Sequence, residues 1–154
     1  MTHPSDDLDR IMAVMNAAFD PAFGEAWTRR QVEDALLVGN CHYALIAPDG
    51  TSPVMSGNTA GFSLSRYSCG EEELLLFAVS PQFRRRGLGG QLMQLLKVAA
   101  AERGAERLIL EMRAGNPAES LYAASGFTPV GRRKDYYRGH DGIRIDAITF
   151  SCPL

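Results

Sequence analysis

Three groups of residues in this 154-residue chain sit where they could do chemistry. The first is the stretch Arg84-Arg85-Arg86-Gly87-Leu88-Gly89-Gly90, between an apolar run ending Phe77-Ala78-Val79 and an amphipathic segment opening at Leu88. Glycines let backbone amides approach a ligand, and the first turn of a helix leaves amides without intrahelical acceptors. That geometry suits a phosphate or pyrophosphate. The arginines either add positive field or are solvated surface charges. The second is Glu111, a carboxylate at the end of the apolar run Leu108-Ile109-Leu110. It either faces a cleft or pairs with Arg113. The third is Asn116 with Tyr122: the asparagine can cap a helix and the tyrosine can be core, or both can meet a ligand.

Several chemistries are excluded. A dinucleotide fingerprint needs a glycine where Arg84 stands, and a strand–helix–strand unit at its start. A nucleotide-hydrolysing P-loop needs Gly-Lys-Ser/Thr, which is missing. Cys41, Cys69 and Cys152 are isolated, with no CxxC and no Cys/His ligand spacing, so no metal site is expected. Reduced thiols and a polar N-terminus without a signal peptide point to the cytoplasm. No apolar run reaches membrane-spanning length. A net charge of −2 gives no support to a nucleic-acid partner. Basic residues cluster locally, at Arg84–Arg86 and Arg132–Lys134, which fits a small anion better than a long phosphate backbone.

The elements that position these residues follow from periodicity. Leu8, Ile11, Met12, Met15, Ala18 and Phe19 predict a helix over Asp6 to Phe19. Thr28 can cap a second helix that closes at Gly39. Phe23 and Trp27 lie in the connection, as core plugs or as the wall of a substrate groove. Strands are predicted at 41–47, 60–66 and 71–79, joined by short breaker-rich turns as an antiparallel meander. Residues 88–103 are the clearest helix, ended by Gly104. A strand at 107–112 then makes a parallel crossover pair with 71–79. Pro117 can start a short helix closed by Gly126, a further strand begins at Phe127, and residues 142–150 form the last. The expected fold is α/β: one domain over 1–154, a mixed sheet with helices on both faces.

Arg84-x-x-Gly87-x-Gly89 resembles the acyl-coenzyme-A signature Gln/Arg-x-x-Gly-x-Gly/Ala of the GNAT N-acetyltransferase family. The order of this signature and the later Asn116…Leu121-Tyr-Ala-Ala-Ser-Gly-Phe127 extends the resemblance over most of the chain. Residues 23–28, Leu110-Glu-Met-Arg-Ala-Gly-Asn116, Gly131-Arg-Arg-Lys-Asp-Tyr-Tyr137 and Asp146-Ala147 are similar to its ribosomal-protein alanine N-acetyltransferase type. The resemblance implies acetyl transfer from acetyl-CoA to the α-amino group of a protein N-terminus. It implies that the amides of Arg85 to Gly90 take the pyrophosphate, with Arg84 and Arg86 adding field, and that amides of Phe77, Ala78 and Val79 meet the pantetheine or acetyl carbonyl. It implies Asn116 on the pantetheine, Glu111 as general base and Tyr122 as general acid. Tyr136, Tyr137 and Asp146 would border the peptide groove on one side, Phe23 and Trp27 on the other.

One departure stands out. Five residues separate Asn116 from Tyr122 where the family pattern has six, and one residue is about 100° of helix rotation. The competing readings are a transferase acting on a small amine or lysine side chain, and a coenzyme-A-binding module without catalysis.

Overall fold

The computed structural model describes residues 4–20, 24–52, 58–139 and 141–154. Helix α1 (Pro4–Ala18) buries Leu8, Ile11, Val14 and Met15 along one stripe, the spacing its sequence predicts. Helix α2 (Arg29–Val38) opens on a capping box. The Thr28 hydroxyl accepts from the Gln31 amide at 3.2 Å, and the Gln31 side chain accepts from the Thr28 amide at 2.7 Å. Gly39, left-handed at φ 96°, closes it. No helix among the described residues is long and apolar enough to cross a membrane.

Strands β1 (Cys41–Ile46), β2 (Gly61–Ser68) and β3 (Glu71–Val79) form the predicted antiparallel meander. Helix α3 (Leu88–Glu102) then carries the chain to β4 (Arg107–Arg113), which pairs parallel with β3. Helix α4 (Glu119–Ala124) precedes β5 (Thr128–Arg138) and β6 (Arg144–Pro153). The six strands make one sheet in the order β1-β2-β3-β4-β6-β5, so the last strand slots between β4 and β5. Strand β5 continues well past Val130, through the whole basic run, as the edge strand. One core joins α1 and α2 to Phe62, Leu64, Leu76 and Ala78. The other joins α3 and α4 to Leu74, Leu108, Leu110, Met112 and Phe150.

Strand β3 changes faces partway along. Leu64 pairs with Leu76 but Ser65 pairs with Leu74, leaving Leu75 as an extra residue in a β-bulge. Side chains alternate along a strand, so one extra residue exchanges the faces. Before the bulge Leu74 packs in the α3 core; beyond it Leu76 and Ala78 pack under α1, while Phe77 and Val79 turn toward α3. The parallel ladder with β4 runs only from Glu71↔Arg107 to Leu74↔Leu110 and stops at the bulge. Past that point β3 stays paired with β2 and β4 with β6, so the sheet opens between them.

The closed end is locked by a buried carboxylate. Glu72 is fully buried and takes two hydrogen bonds from Arg103, at 3.0 and 2.8 Å, and one from the Ser65 hydroxyl at 2.6 Å. These bonds tie the end of α3 to the β2–β3 hairpin. Removing one partner of such a pair strands the other charge. Arg103→Ala, which strands the fully buried Glu72 carboxylate, is expected to lower the unfolding free energy by about 3 kcal/mol in urea denaturation; Glu72→Ala should cost less, because the arginine it leaves behind reaches solvent.

Candidate active site

The opening between β3 and β4 is a cleft of about 860 Å³. Its walls are Leu74–Val79 on one side and Leu110–Arg113 on the other. It passes through the sheet. Gly87, Leu88, Gly89, Leu121 and Tyr122 line it from the α3–α4 face; Phe19, Asp20, Glu25, Trp27 and Tyr137 are among the other residues that line it. Phe77, Ala78 and Val79 line the cleft along the edge of β3 that has no β4 partner; Ala78 is paired with β2, and the Val79 carbonyl is taken by Arg84.

The glycine-rich loop closes the mouth. After the 3-10 turn Pro81–Phe83, Arg85 (φ 65°) and Gly87 (φ 77°) are both left-handed. Gly87 is the N-cap of α3 and offers no capping side chain. Among the described residues no acceptor meets the amides of Arg85, Arg86 and Gly87, and those of Leu88, Gly89 and Gly90 fall in the first helical turn. A Cβ on Gly87 or Gly90 would point into open space, whereas one on Gly89 would stand 3.2 Å from Leu121. Gly89 therefore lets α3 and α4 approach, while the loop amides remain available to an anion. No acidic side chain in the first turn competes for them.

The arginines of the loop do different jobs. Arg84 donates through Nε to the Val79 carbonyl at 3.0 Å and through a terminal nitrogen to the Ala18 carbonyl at 3.4 Å. It thereby ties the end of β3 to the end of α1. Arg85 lines the cleft. The Arg86 guanidinium lies over the Phe83 ring, 5.6 Å from its centre, and does not line the cleft.

Deeper in, Tyr122 is 8 % exposed and wedged edge-on between Phe77 and Phe127, with ring centres 6.1 and 5.7 Å away. Its hydroxyl makes no hydrogen bond among the described residues. Burial, aided by the charge of Glu25, pushes the phenol up to about 12. The tyrosine therefore stays protonated as a donor with nothing yet to donate to. Between Asn116 and Tyr122 the chain turns before the helix begins. Asn116 accepts from the Ala118 amide at 2.9 Å, Pro117 stays outside the helix, and α4 starts at Glu119. Tyr122 still lines the cleft, and so does Asn116.

Glu111 points to the opposite face from Leu110 and Met112, as strand alternation requires. Its carboxylate accepts from the Thr149 hydroxyl at 3.4 Å and stands 3.6 Å from Arg133. Across the cleft Glu25 pairs with Arg113 at 3.4 Å. Tyr137 lies between these charges; burial, then Glu111 and Glu25, raise its phenol to about 12. This wall of the cleft thus holds two carboxylates, each facing a guanidinium.

Trp27 lines the cleft and also packs on the α1–α2 core. Phe23 lies outside the described residues. Tyr136 does not line the groove; it is half exposed and stacks edge-on against Tyr137, with Arg133 over its outer ring. Asp146 also stands off the cleft, holding Arg132 at 2.6 Å and the Asp135 amide at 2.8 Å. Glu25 and Thr149 were not foreseen, and Arg113, the partner the sequence offered for Glu111, meets Glu25 while Arg133 faces Glu111. Glu25 and Arg113 are 88 positions apart, and no local pattern marks either.

Residues 40–129 match the family model of the acetyltransferase (GNAT) domain. Over 100 residues the chain is 37% identical to the ribosomal protein bS18-alanine N-acetyltransferase of Escherichia coli, covering 64% of this chain and 67% of that protein. The protein of the same name from Haemophilus influenzae is 34% identical over 94 residues, 61% of this chain and 64% of the relative. The crystal structure of the ribosomal-protein-S18-alanine N-acetyltransferase from Escherichia coli superposes with a TM-score of 0.80 at 28% identity, covering 100% of this chain and 92% of that one. The matched family segment spans both arms of the open sheet, the anion loop and α4. With that architecture and these relatives, the chain belongs to the GNAT acetyltransferase family and is close, in sequence and in structure, to the bS18-alanine N-acetyltransferases.

Proposed function

We propose that this chain is a one-domain cytoplasmic enzyme that moves the acetyl group of acetyl-CoA to the α-amino group of a protein N-terminus, favouring an alanine-starting ribosomal protein. The observation that carries this reading is the cleft itself. It runs through the sheet, with free loop amides at one mouth and a carboxylate-lined wall at the other. A donor and an acceptor can enter it from different sides and meet at the opened edge of β3.

In this reading the amides of Arg85 to Gly90 hold the pyrophosphate, and the edge of β3 at Phe77, Ala78 and Val79 holds the pantetheine and orients the thioester carbonyl. Asn116 borders the same arm. Acetyl-CoA supplies the activated acyl group: the amine nitrogen bonds to the acetyl carbon, the carbon–sulfur bond breaks, and the proton lost by the amine ends on the coenzyme thiol. Glu111 receives the incoming ammonium and takes up its proton. An α-amino group has an ordinary pKa near 8, so the base need not be strong. Tyr122 serves the other end. A phenol near 12 is a weaker acid than a thiol near 8.5, so it acts chiefly by donating a hydrogen bond to the charge developing on sulfur. Trp27 and Tyr137 form the walls of the acceptor groove.

Purified protein given acetyl-CoA and an alanine-starting peptide should release free coenzyme A and yield the N-terminally acetylated peptide by mass spectrometry. Glu111→Gln and Tyr122→Phe should each lower kcat by about 100-fold while coenzyme A affinity, read by calorimetry, changes less than about 3-fold. Coenzyme A binding without turnover on any N-terminal peptide would defeat the proposal.

The pH dependence has a definite sign. The nucleophile is the neutral amine, so kcat/KM should rise with pH and level off above about 8. Because Tyr122 is raised to about 12, it remains a donor through that range. No falling limb is expected below about pH 11 while the fold persists; a fall near 10 would mean an unburied phenol.

A further inference from the structure

The β5–β6 pairing contains an irregularity that the acetyl-transfer chemistry does not use directly. Arg133 pairs with Ala147 and Tyr137 pairs with Ile145, so four steps along β5 match two along β6. Residues 134–136 therefore stand opposite Asp146 alone, an insertion of two residues. A regular ladder would place Asp135 opposite Ile145. The bulge brings Tyr137 there instead, and an even insertion keeps it on the same face as Arg133. Tyr137 is the one residue of β5 that is not exposed, and it lines the cleft.

Asp146 is what holds this arrangement. One carboxylate oxygen accepts from the Asp135 amide at 2.8 Å, and the other accepts from Arg132 Nε at 2.6 Å. Asp135 is left-handed at φ 55°, a conformation that costs a non-glycine residue and needs an outside restraint. The Asp146 carbonyl also accepts from the Ala114 amide at 2.8 Å, just past the end of β4. One residue thus joins the bulge on β5 to the segment that leads from Arg113 to Asn116. The bonds to Asp135 and Arg132 hold the Asp146 carboxyl below the usual carboxylate range, so it remains an acceptor at neutral pH.

We infer that Asp146 is a positioning residue that acts through the two-residue bulge at 134–136 to present Tyr137 to the acceptor. This rests on the reading of Tyr137 as a wall of the acceptor groove. The first test needs no acceptor. With tyrosine 13C-labelled and Tyr137 assigned by Tyr137→Phe, NMR at pH 10.5 should show Tyr137 almost wholly protonated in the native protein, as its value of about 12 requires. In Asp146→Ala the side chain should leave the cleft and be ionised by about half or more, as an open tyrosine is. Unchanged ionisation in a folded variant would overturn the inference.

The second test is kinetic. Asp146→Ala and Tyr137→Ala should each raise KM for an alanine-starting peptide by about 10-fold with kcat changed less than about 3-fold, and the double variant should be no worse than Tyr137→Ala. A double variant with KM raised about 100-fold over the native protein, about 10-fold beyond Tyr137→Ala, would mean independent roles and would also overturn it. If Asp146→Ala does not fold, Arg132→Gln and Asp146→Asn loosen the same bulge, and smaller shifts in both readouts are expected; none in either variant counts against the inference. A native protein that acetylates no peptide would defeat the proposed function, whereas the NMR arm would still decide the position of Tyr137.

Discussion

Everything about the site depends on the place where β3 stops pairing with β4. Up to Leu74↔Leu110 the two strands form an ordinary parallel ladder. The bulge at Leu75 then exchanges the faces of β3, and a strand whose side chains have changed faces cannot keep its former register. Each arm remains held on its outer side, β3 by β2 and β4 by β6. The gap is therefore a stable feature with rigid walls. Its edge carries polar backbone atoms that no β4 partner meets. The Glu72–Arg103–Ser65 lock sits at the closed end, where the strands must stay together for the other end to part.

The two mouths of the cleft are chemically unlike. At one, backbone amides from a left-handed turn and a helix start offer positive potential, and Arg85 lines the cleft beside them. Arg84 is spent on tying β3 to α1, and Arg86 lies on Phe83. At the other, Glu25 and Glu111 are each opposed by an arginine, at 3.4 and 3.6 Å. Arg113 is the more buried of the two arginines and Arg133 the more open to water. Between the mouths, Tyr122 sits in an aromatic wedge that keeps its proton on. One mouth is thus built chiefly from main chain and the other from side chains. This explains why the first is written as a short signature and the second is scattered.

Much was legible in the chain alone, for reasons that are local. The helix over 88–102, the Thr28 cap, the Gly39 and Gly104 stops and the three-strand meander depend on residues a few positions apart, and periodicity or capping chemistry reads them directly. Arg84-x-x-Gly87-x-Gly89 was legible for the same reason: an anion loop needs left-handed turns and free amides within one segment. Residues placed by long-range pairing were not. The Leu75 bulge is hidden because both faces of β3 are buried, so Leu74-Leu-Leu-Phe-Ala-Val79 reads as uniform apolar sequence. Tyr136 and Tyr137 are indistinguishable as neighbours; the bulge pinned by Asp146 turns one inward and leaves the other exposed.

By itself the sequence determined the elements, their order and the donor-side loop, because each is set by backbone conformations that glycine, proline and apolar spacing dictate within a few residues. Only the tertiary structure decided how wide the sheet opens, that β6 enters between β4 and β5, and which polar groups meet across the gap. Glu25 meets Arg113 and Glu111 meets Arg133 because strand pairing brings distant segments together, and pairing is a property of the whole sheet. Tyr122 illustrates the division. Its place on a short helix follows from its neighbours, but its raised phenol comes from Phe77 and Phe127 closing around it, and burial is a fact of packing alone.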